Sequence, residues 1–325
     1  MNASEDARNR CKNMTIKVAF LGCGYMASAH AKAFRAIGCE LAGVFSRTRA
    51  RAEAFATQYS IPEVCDSIAE LHAKTQADVV IIAVPELSVS AVSIAAFDHP
   101  WLCLIEKPAG YNIADAETIS KAAQKLQRHA FVALNRRHYS STRAVTADLR
   151  NRPGRRLVHV IDQENPRVAL ESGQPRLVVD NWMYANSLHL IDYFSVFCRG
   201  ELLEVVTRGE WRSCEPSFVV ATLMFSSGDI GSYEGIWEGP SPWAVTVTSP
   251  ERRWELRPLE QASFQDYGSR KSEPLAVDEL DKQFKPGLYA QAREVLRAVR
   301  GEHHALPSVS DGLASMRIVE RIYGR

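Results

Sequence analysis

The chain has 325 residues, 46% apolar and 24% charged, which exceeds one average domain and excludes a chain too polar to bury a core. Its formal net charge of +1 presents no field of one sign, so neither nucleic acid nor an anionic membrane is expected as a partner. No run approaches eighteen apolar residues, which excludes a membrane-spanning helix, and seven cysteines without a C-x-x-C pair fit reduced thiols in the cytoplasm.

Residues 1–14 are polar, lack a signal-peptide core and read as a disordered leader. From Thr15 to Asn135 short apolar runs alternate with helical patterns, as in a parallel sheet covered on both faces. The strand candidates are Ile16–Leu21, Glu40–Phe45, Val79–Val84, Leu102–Ile105 and Ala130–Leu134. Directly after the first comes Gly22-Cys23-Gly24-Tyr25-Met26-Ala27, a G-x-G-x-x-A fingerprint opening an alanine-rich helix. Gly22 permits the tight turn, Gly24 lets the backbone approach a pyrophosphate, and Ala27 keeps helix and strand close. Tyr25 and Met26 stand on the first turn of that helix, whose N-terminus favours an anion.

The second strand ends at Phe45-Ser46-Arg47, where an acidic residue usually stands when the ribose carries a free 2′-hydroxyl. Here Ser46 and Arg47 can bind a phosphate instead, with Arg49 or Arg51 as second cations, so NADP(H) is favoured over NAD(H). Ala83 and Pro85 close the next strand and join the expected cofactor set. The run Leu102-Cys103-Leu104-Ile105-Glu106-Lys107-Pro108 then places Glu106 and Lys107 at a strand exit, the edge where open α/β sheets collect ligands. A partly desolvated lysine there is suited to moving protons, and a cis Lys107–Pro108 bond is expected. After Asn112 as N-cap, Ile119, Ala122, Ala123 and Leu126 repeat at helical spacing.

The pattern assigns residues 15–137 to a Rossmann-type, doubly wound α/β domain and 138–325 to a second, α+β domain. In the second, Leu157–Ile161, Phe218–Phe225, Gly231–Trp237, Trp243–Thr248 and Arg253–Leu256 are strand-like, and Ser226-Ser227-Gly228-Asp229 supplies a hairpin turn. Leu288–Val299 is an amphipathic helix ending before Gly301. A mostly antiparallel sheet is the expected architecture, with a homodimer or homotetramer built through it.

The fingerprint, Glu106-Lys107-Pro108, Asn135-Arg136-Arg137 and a later His-x-x-Asp together resemble the Gfo/Idh/MocA (glucose-fructose oxidoreductase, inositol dehydrogenase) family, from about Lys17 to Tyr323. The resemblance implies nicotinamide chemistry on a sugar-like substrate, with Lys107 reaching the reacting oxygen and His189 as general acid/base. Asp192, three residues on, shares the helical face of His189 and can hold its tautomer or contact substrate. Arg136, Trp182, Tyr184, Trp237 and Tyr289 are candidate substrate lining, and no metal is expected. The chain departs from the family at Ala185 and Ser187, where polyol-oxidising members carry Asp and Gly, and at Val89, where a histidine often stands. The changes at Ala185 and Ser187 weaken an inositol dehydrogenase reading more than a reductase one, and the change at Val89 carries little weight. The competing class is a non-catalytic dinucleotide sensor, since fold does not determine function; a third is lyase or glycosidase chemistry in which hydride leaves and returns.

Overall fold

The computed structural model describes residues 15–324, so the expected leader lies outside the described residues. Two compact units make up the chain. The first contains a sheet of β1 (Lys17–Leu21), β2 (Glu40–Phe45), β3 (Glu63–Cys65), β4 (Val79–Ile82), β5 (Leu102–Glu106) and β6 (Ala130–Ala133). These pair in the order β3-β2-β1-β4-β5-β6, all parallel. Helices α1 (Tyr25–Ala36), α2 (Arg49–Gln58), α3 (Ile68–Thr75), α4 (Val89–Ala96) and α5 (Ile113–Lys125) connect them. Every residue of β4 and β5 is buried, because a parallel sheet carries helices on both faces. Strand order reverses between β1 and β4, and their carboxyl ends open the crevice where such sheets bind ligands.

The second unit holds α6 (Ser140–Leu149), β7 (Leu157–Glu164), α7 (Leu188–Phe197) and the strands β8 (Leu202–Arg208), β9 (Ser217–Phe225), β10 (Ile230–Trp237), β11 (Ala244–Thr248), β12 (Arg252–Leu256), β13 (Ser263–Asp266) and β14 (Glu273–Pro274). They form one sheet in the order β14-β13-β12-β11-β7-β10-β9-β8, antiparallel except for β7 with β10. In β9 and β10 buried and accessible residues alternate, the period-two signature of a sheet packed on one face. The hairpin between them turns at Ser226–Asp229, with Gly228 N–H donating to the Phe225 carbonyl at 2.9 Å and a φ of +80° at Gly228.

Four strands escape the sequence pattern. β3 has three residues, β14 two, and β13 is half-buried throughout, so none carries an apolar run. β8 is an edge strand whose residues are all exposed or half-buried. β7 also runs three residues beyond the expected Ile161, through Asp162, Gln163 and Glu164.

The amphipathic helix α8 (Leu288–Val299) corrects the expected single boundary near residue 137, because residues 288–312 belong to the first unit. Leu288, Ala292 and Val295 share the core cluster of α1 residues Ala27, Ala31 and Phe34. The helix thus buries its stripe on the alanine-rich helix that follows the glycine turn. A final helix, α9 (Val309–Tyr323), belongs to the second unit from Leu313 onwards.

Candidate active site

A cavity of about 380 Å³ opens at the carboxyl ends of β1, β2, β4 and β5. Gly22, Gly24, Tyr25 and Met26 form one wall, Ser46, Arg47, Thr48 and Arg51 a second, and Ala83, Val84 and Pro85 a third; Glu106, Lys107 and Pro108 close the inner end. Of the cofactor residues expected from the sequence, all but Arg49 lie on this one surface. The glycine turn is clamped by backbone bonds, Gly22 N–H to the Phe45 carbonyl and Ala83 N–H to the Leu21 carbonyl, each 2.9 Å. Gly24 caps α1 without a side-chain acceptor and no acidic residue stands in that helix's first turn. The positive end of the helix dipole therefore faces the cavity, which suits an anion.

Three arginines near the β2 exit divide into two kinds. Arg49 is tied to Glu53 at 3.0 Å and to Asp66, which removes it from the expected phosphate set. Among the described residues no carboxylate forms an ion pair with Arg47 or Arg51, and both line the cavity. Thr48, Cys23 and Val84 also line it, although no motif marks them individually.

Lys107 is half-buried, one residue past the end of β5, and its bond to Pro108 is cis, as expected. Behind it stands a pair that the motif reading missed. His30 Nε2 lies 2.7 Å from Glu106 Oε1, with both side chains buried, and Lys107 N–H donates to Glu106 Oε2 at 3.3 Å. Glu106 is thus anchored from α1 while it braces the backbone of the lysine. A histidine buried among the alanines of α1 was the available sign.

In the second unit His189 is the second residue of α7, half-buried and directly after a π-helical turn, Met183–Ser187. Such turns gather at functional sites because the widened helix re-aims its side chains. Asp192 is buried, and Arg137 donates to both its oxygens at 2.6 and 2.8 Å while Ser315 Oγ donates at 2.7 Å. A bidentate guanidinium of this kind fixes the carboxylate in one orientation on the His189 helix.

The π turn is tied to β7 by an acid that the sequence reading did not consider. Glu164 accepts from Trp182 Nε1 at 2.7 Å and from Asn186 Nδ2 at 2.8 and 3.1 Å. Two residues earlier on the same face, Asp162 accepts from the Tyr233 hydroxyl at 2.8 Å, and that oxygen lies 2.6 Å from the Tyr323 hydroxyl. Both carboxyls are 1% exposed or less. Burial pushes the Glu164 carboxyl well above its ordinary range, the neighbouring Asp162 charge pushes it further, and burial raises the Asp162 carboxyl as well.

The expected substrate residues separate by burial. Tyr289 lies half-buried on α8 in the first unit. Arg136 lines a cavity in the second unit. The Trp182 indole N–H is spent on Glu164. Tyr184 and Trp237, 2% and 0% exposed, are core residues, which corrects their expected place in the lining. Ala185 is buried too.

Comparison with known proteins agrees with this geometry. Residues 16–134 match the Gfo/Idh/MocA family model, described as an oxidoreductase family with an NAD-binding Rossmann fold. The chain is 22% identical over 318 residues to a 4-carboxy-2-hydroxymuconate-6-semialdehyde dehydrogenase from Sphingobium sp., covering 94% of this chain and 96% of that protein. Its fold is similar to that of a dehydrogenase from Chromobacterium violaceum, with a TM-score of 0.80 at 18% identity over 95% of this chain and 94% of the other. It is also similar to the WlbA dehydrogenase of that organism in complex with NADH and UDP-GlcNAcA, with a TM-score of 0.71 at 20% identity over 95% and 93%. Residues 16–134 thus match the Gfo/Idh/MocA oxidoreductase family model, and the fold over 95% of the chain is that of such dehydrogenases.

Proposed function

We propose that the protein is an NAD(P)-dependent dehydrogenase or reductase that interconverts a secondary alcohol and a ketone on a sugar or sugar derivative. The observation that carries this reading is the single cavity that joins the glycine turn to Lys107. The residues present fit a dinucleotide: Gly24 leaves open space where a side chain would stand, and α1 offers its N-terminus. Gly22, Gly24, Tyr25 and Met26 would hold the pyrophosphate side, with Ser46, Arg47 and Arg51 on the adenosine ribose and Ala83, Pro85 and Glu106 along the remainder. A bound nicotinamide supplies hydride exchange at a carbon.

The protein's own residues handle the matching proton. Lys107 as an ammonium polarises a carbonyl oxygen and donates during reduction; in the reverse direction a neutral Lys107 or His189 accepts. Asp192, held by Arg137, acts as a positioning residue for the His189 helix. Unpaired Arg47 and Arg51 beside Ser46, with no acidic residue at the β2 exit, support NADP(H) as the favoured cofactor. Sugar-derivative substrates are supported by the UDP-GlcNAcA complex of the WlbA neighbour. The open face of the second sheet exposes Leu157, Phe218, Val220 and Ile230, and supports assembly of a homo-oligomer through it in the cytoplasm.

The test is nicotinamide absorbance with NADP⁺ or NADPH and a panel of sugars, keto-sugars and their acid derivatives. Substrate-dependent change is expected; its absence across the panel, with the dinucleotide bound, would favour the sensor reading that Ala185 supports.

A further inference from the structure

The second unit holds a cavity of about 580 Å³ whose lining includes Arg136, Gln163, Trp243, Arg257 and Glu260. Arg136 is 8% exposed, and its guanidinium carbon lies 4.3 Å from the Trp243 ring centroid. The indole is itself fixed, since Trp243 Nε1 donates to the Gln163 carbonyl at 2.8 Å. The buried Nη1 of Arg136 has no hydrogen-bond partner among the described residues.

Other arginines of this unit show what is missing. Arg137 is matched to Asp192, Arg199 to Asp229, and Arg252 to Asp148 and Asp266. Among the described residues no carboxylate forms an ion pair with Arg136 or with Arg257. Asp162 acts on Arg136 only at a distance, and Glu260 brings one negative charge to a wall that carries two positive ones. A buried cation without a partner is costly, and the cost falls when an anion enters beside it.

We propose that this cavity is an anion site that receives the carboxylate of an acidic substrate, with Arg136 as its principal donor, Arg257 as second cation and Trp243 as the rigid backing. A planar guanidinium, already stacked and presenting an unpartnered Nη1, matches a planar carboxylate. The substrate class is then a hydroxy or keto compound bearing a carboxylate, such as a sugar acid. Its role as substrate rests on the hydride-transfer reading above; the binding itself does not.

Calorimetric titration of the full chain saturated with NADPH tests it, using glucuronate against glucose, gluconate against sorbitol, and glucose 6-phosphate. At least one carboxylate is expected to bind tenfold or more tightly than its neutral counterpart, and R136Q to lose that preference while binding NADPH as wild type. R136K keeps part of it, since a point charge replaces the fork. R136Q is also expected to melt no lower than wild type, because it removes an uncompensated buried charge. R257Q, at an exposed position, repeats the affinity test should R136Q misfold, with a smaller loss expected. Equal affinity for acids and neutral counterparts, an unchanged preference in both variants, or tighter binding of glucose 6-phosphate than of either carboxylate overturns the proposal. Arg136-dependent carboxylate binding without any absorbance change sinks the hydride-transfer reading alone, whereas turnover of neutral sugars with no acid preference sinks this one alone.

Discussion

Alanine at Gly22 and alanine at Gly24 should fail in different ways. At Gly22 the added methyl carbon meets the Ala83 carbonyl oxygen at 2.2 Å and its carbon at 2.8 Å, at a φ of +98°. That is about 1 Å inside ordinary contact, which begins near 3.5 Å. The backbone region alone costs an alanine about 1–3 kcal/mol. Relief of the clash must separate the β1–α1 turn from the end of β4, so a total of at least ~3 kcal/mol is expected. At about 2–4 °C per kcal/mol for a domain of this size, Gly22→Ala should melt roughly 6–12 °C lower. The same displacement distorts two walls of the cavity, and dinucleotide affinity should fall ~100-fold or more, about 2.8 kcal/mol.

At Gly24 the methyl meets nothing within 4 Å and the backbone is extended, with φ −83° and ψ −169°. Stability should stay within about 0.5 kcal/mol of wild type, as for a surface change. The methyl nevertheless fills the space that a pyrophosphate needs, so affinity should fall roughly 10–100-fold. Thermal unfolding followed by circular dichroism, with NADPH titrated by fluorescence, reads both quantities. If Gly24→Ala binds NADPH like wild type, or Gly22→Ala melts with it, the reasoning about this turn is refuted.

Lys107→Ala should lose hydride transfer by several orders of magnitude, as expected for a group that stabilises charge at the reacting oxygen, while dinucleotide binding persists; near-normal turnover would remove the lysine from the mechanism. Arg47→Ala should weaken NADPH at least ~10-fold and leave NADH nearly unchanged, and equal losses would end the phosphate-clamp argument. Glu164 binds its proton more tightly folded than unfolded, so its contribution is complete below the ordinary pKa of 4.5 and declines as pH rises towards the raised folded value. Each unit of that rise is worth about 1.4 kcal/mol, and Glu164→Gln, which has no titrating proton, should flatten the fall in melting temperature between pH 5 and 8. Identical slopes in both proteins would show that the pair does not hold the proton. Phe218→Glu, on the open sheet face at 65% exposure, should shift light-scattering mass towards monomer; an unchanged mass would direct the search to another surface.

The first unit was legible because its cues are local. Buried parallel strands are apolar runs, and the turn after β1 needs glycines at fixed spacing, so β1, β2, β4, β5 and β6 stand out while three-residue β3 does not. The position of α8 was not legible, because an apolar stripe announces burial without naming the surface that covers it. β7 shows a different failure. Its apolar run ends at Ile161, yet alternation continues and carries Asp162 and Glu164 to the buried face beside Val158 and Val160. A charged pair reads as the end of a strand unless the partners that satisfy it are known, and here they come from residues 18 to 71 positions away, Trp182, Asn186 and Tyr233. The lysine and its cavity could be read from motif and position; the hydrogen bonds that brace them could not.

The packing of α8 on α1 also bears on how the polypeptide is made. During synthesis the glycine turn and α1 leave the ribosome some 260 residues ahead of the helix that covers them. Until then Ala31 and Phe34 lack part of their covering, and the nascent unit presents an apolar flank that chaperones recognise. The binding turn is encoded first and finished last, so the unit's competence to grip a dinucleotide firmly becomes a late event in biogenesis.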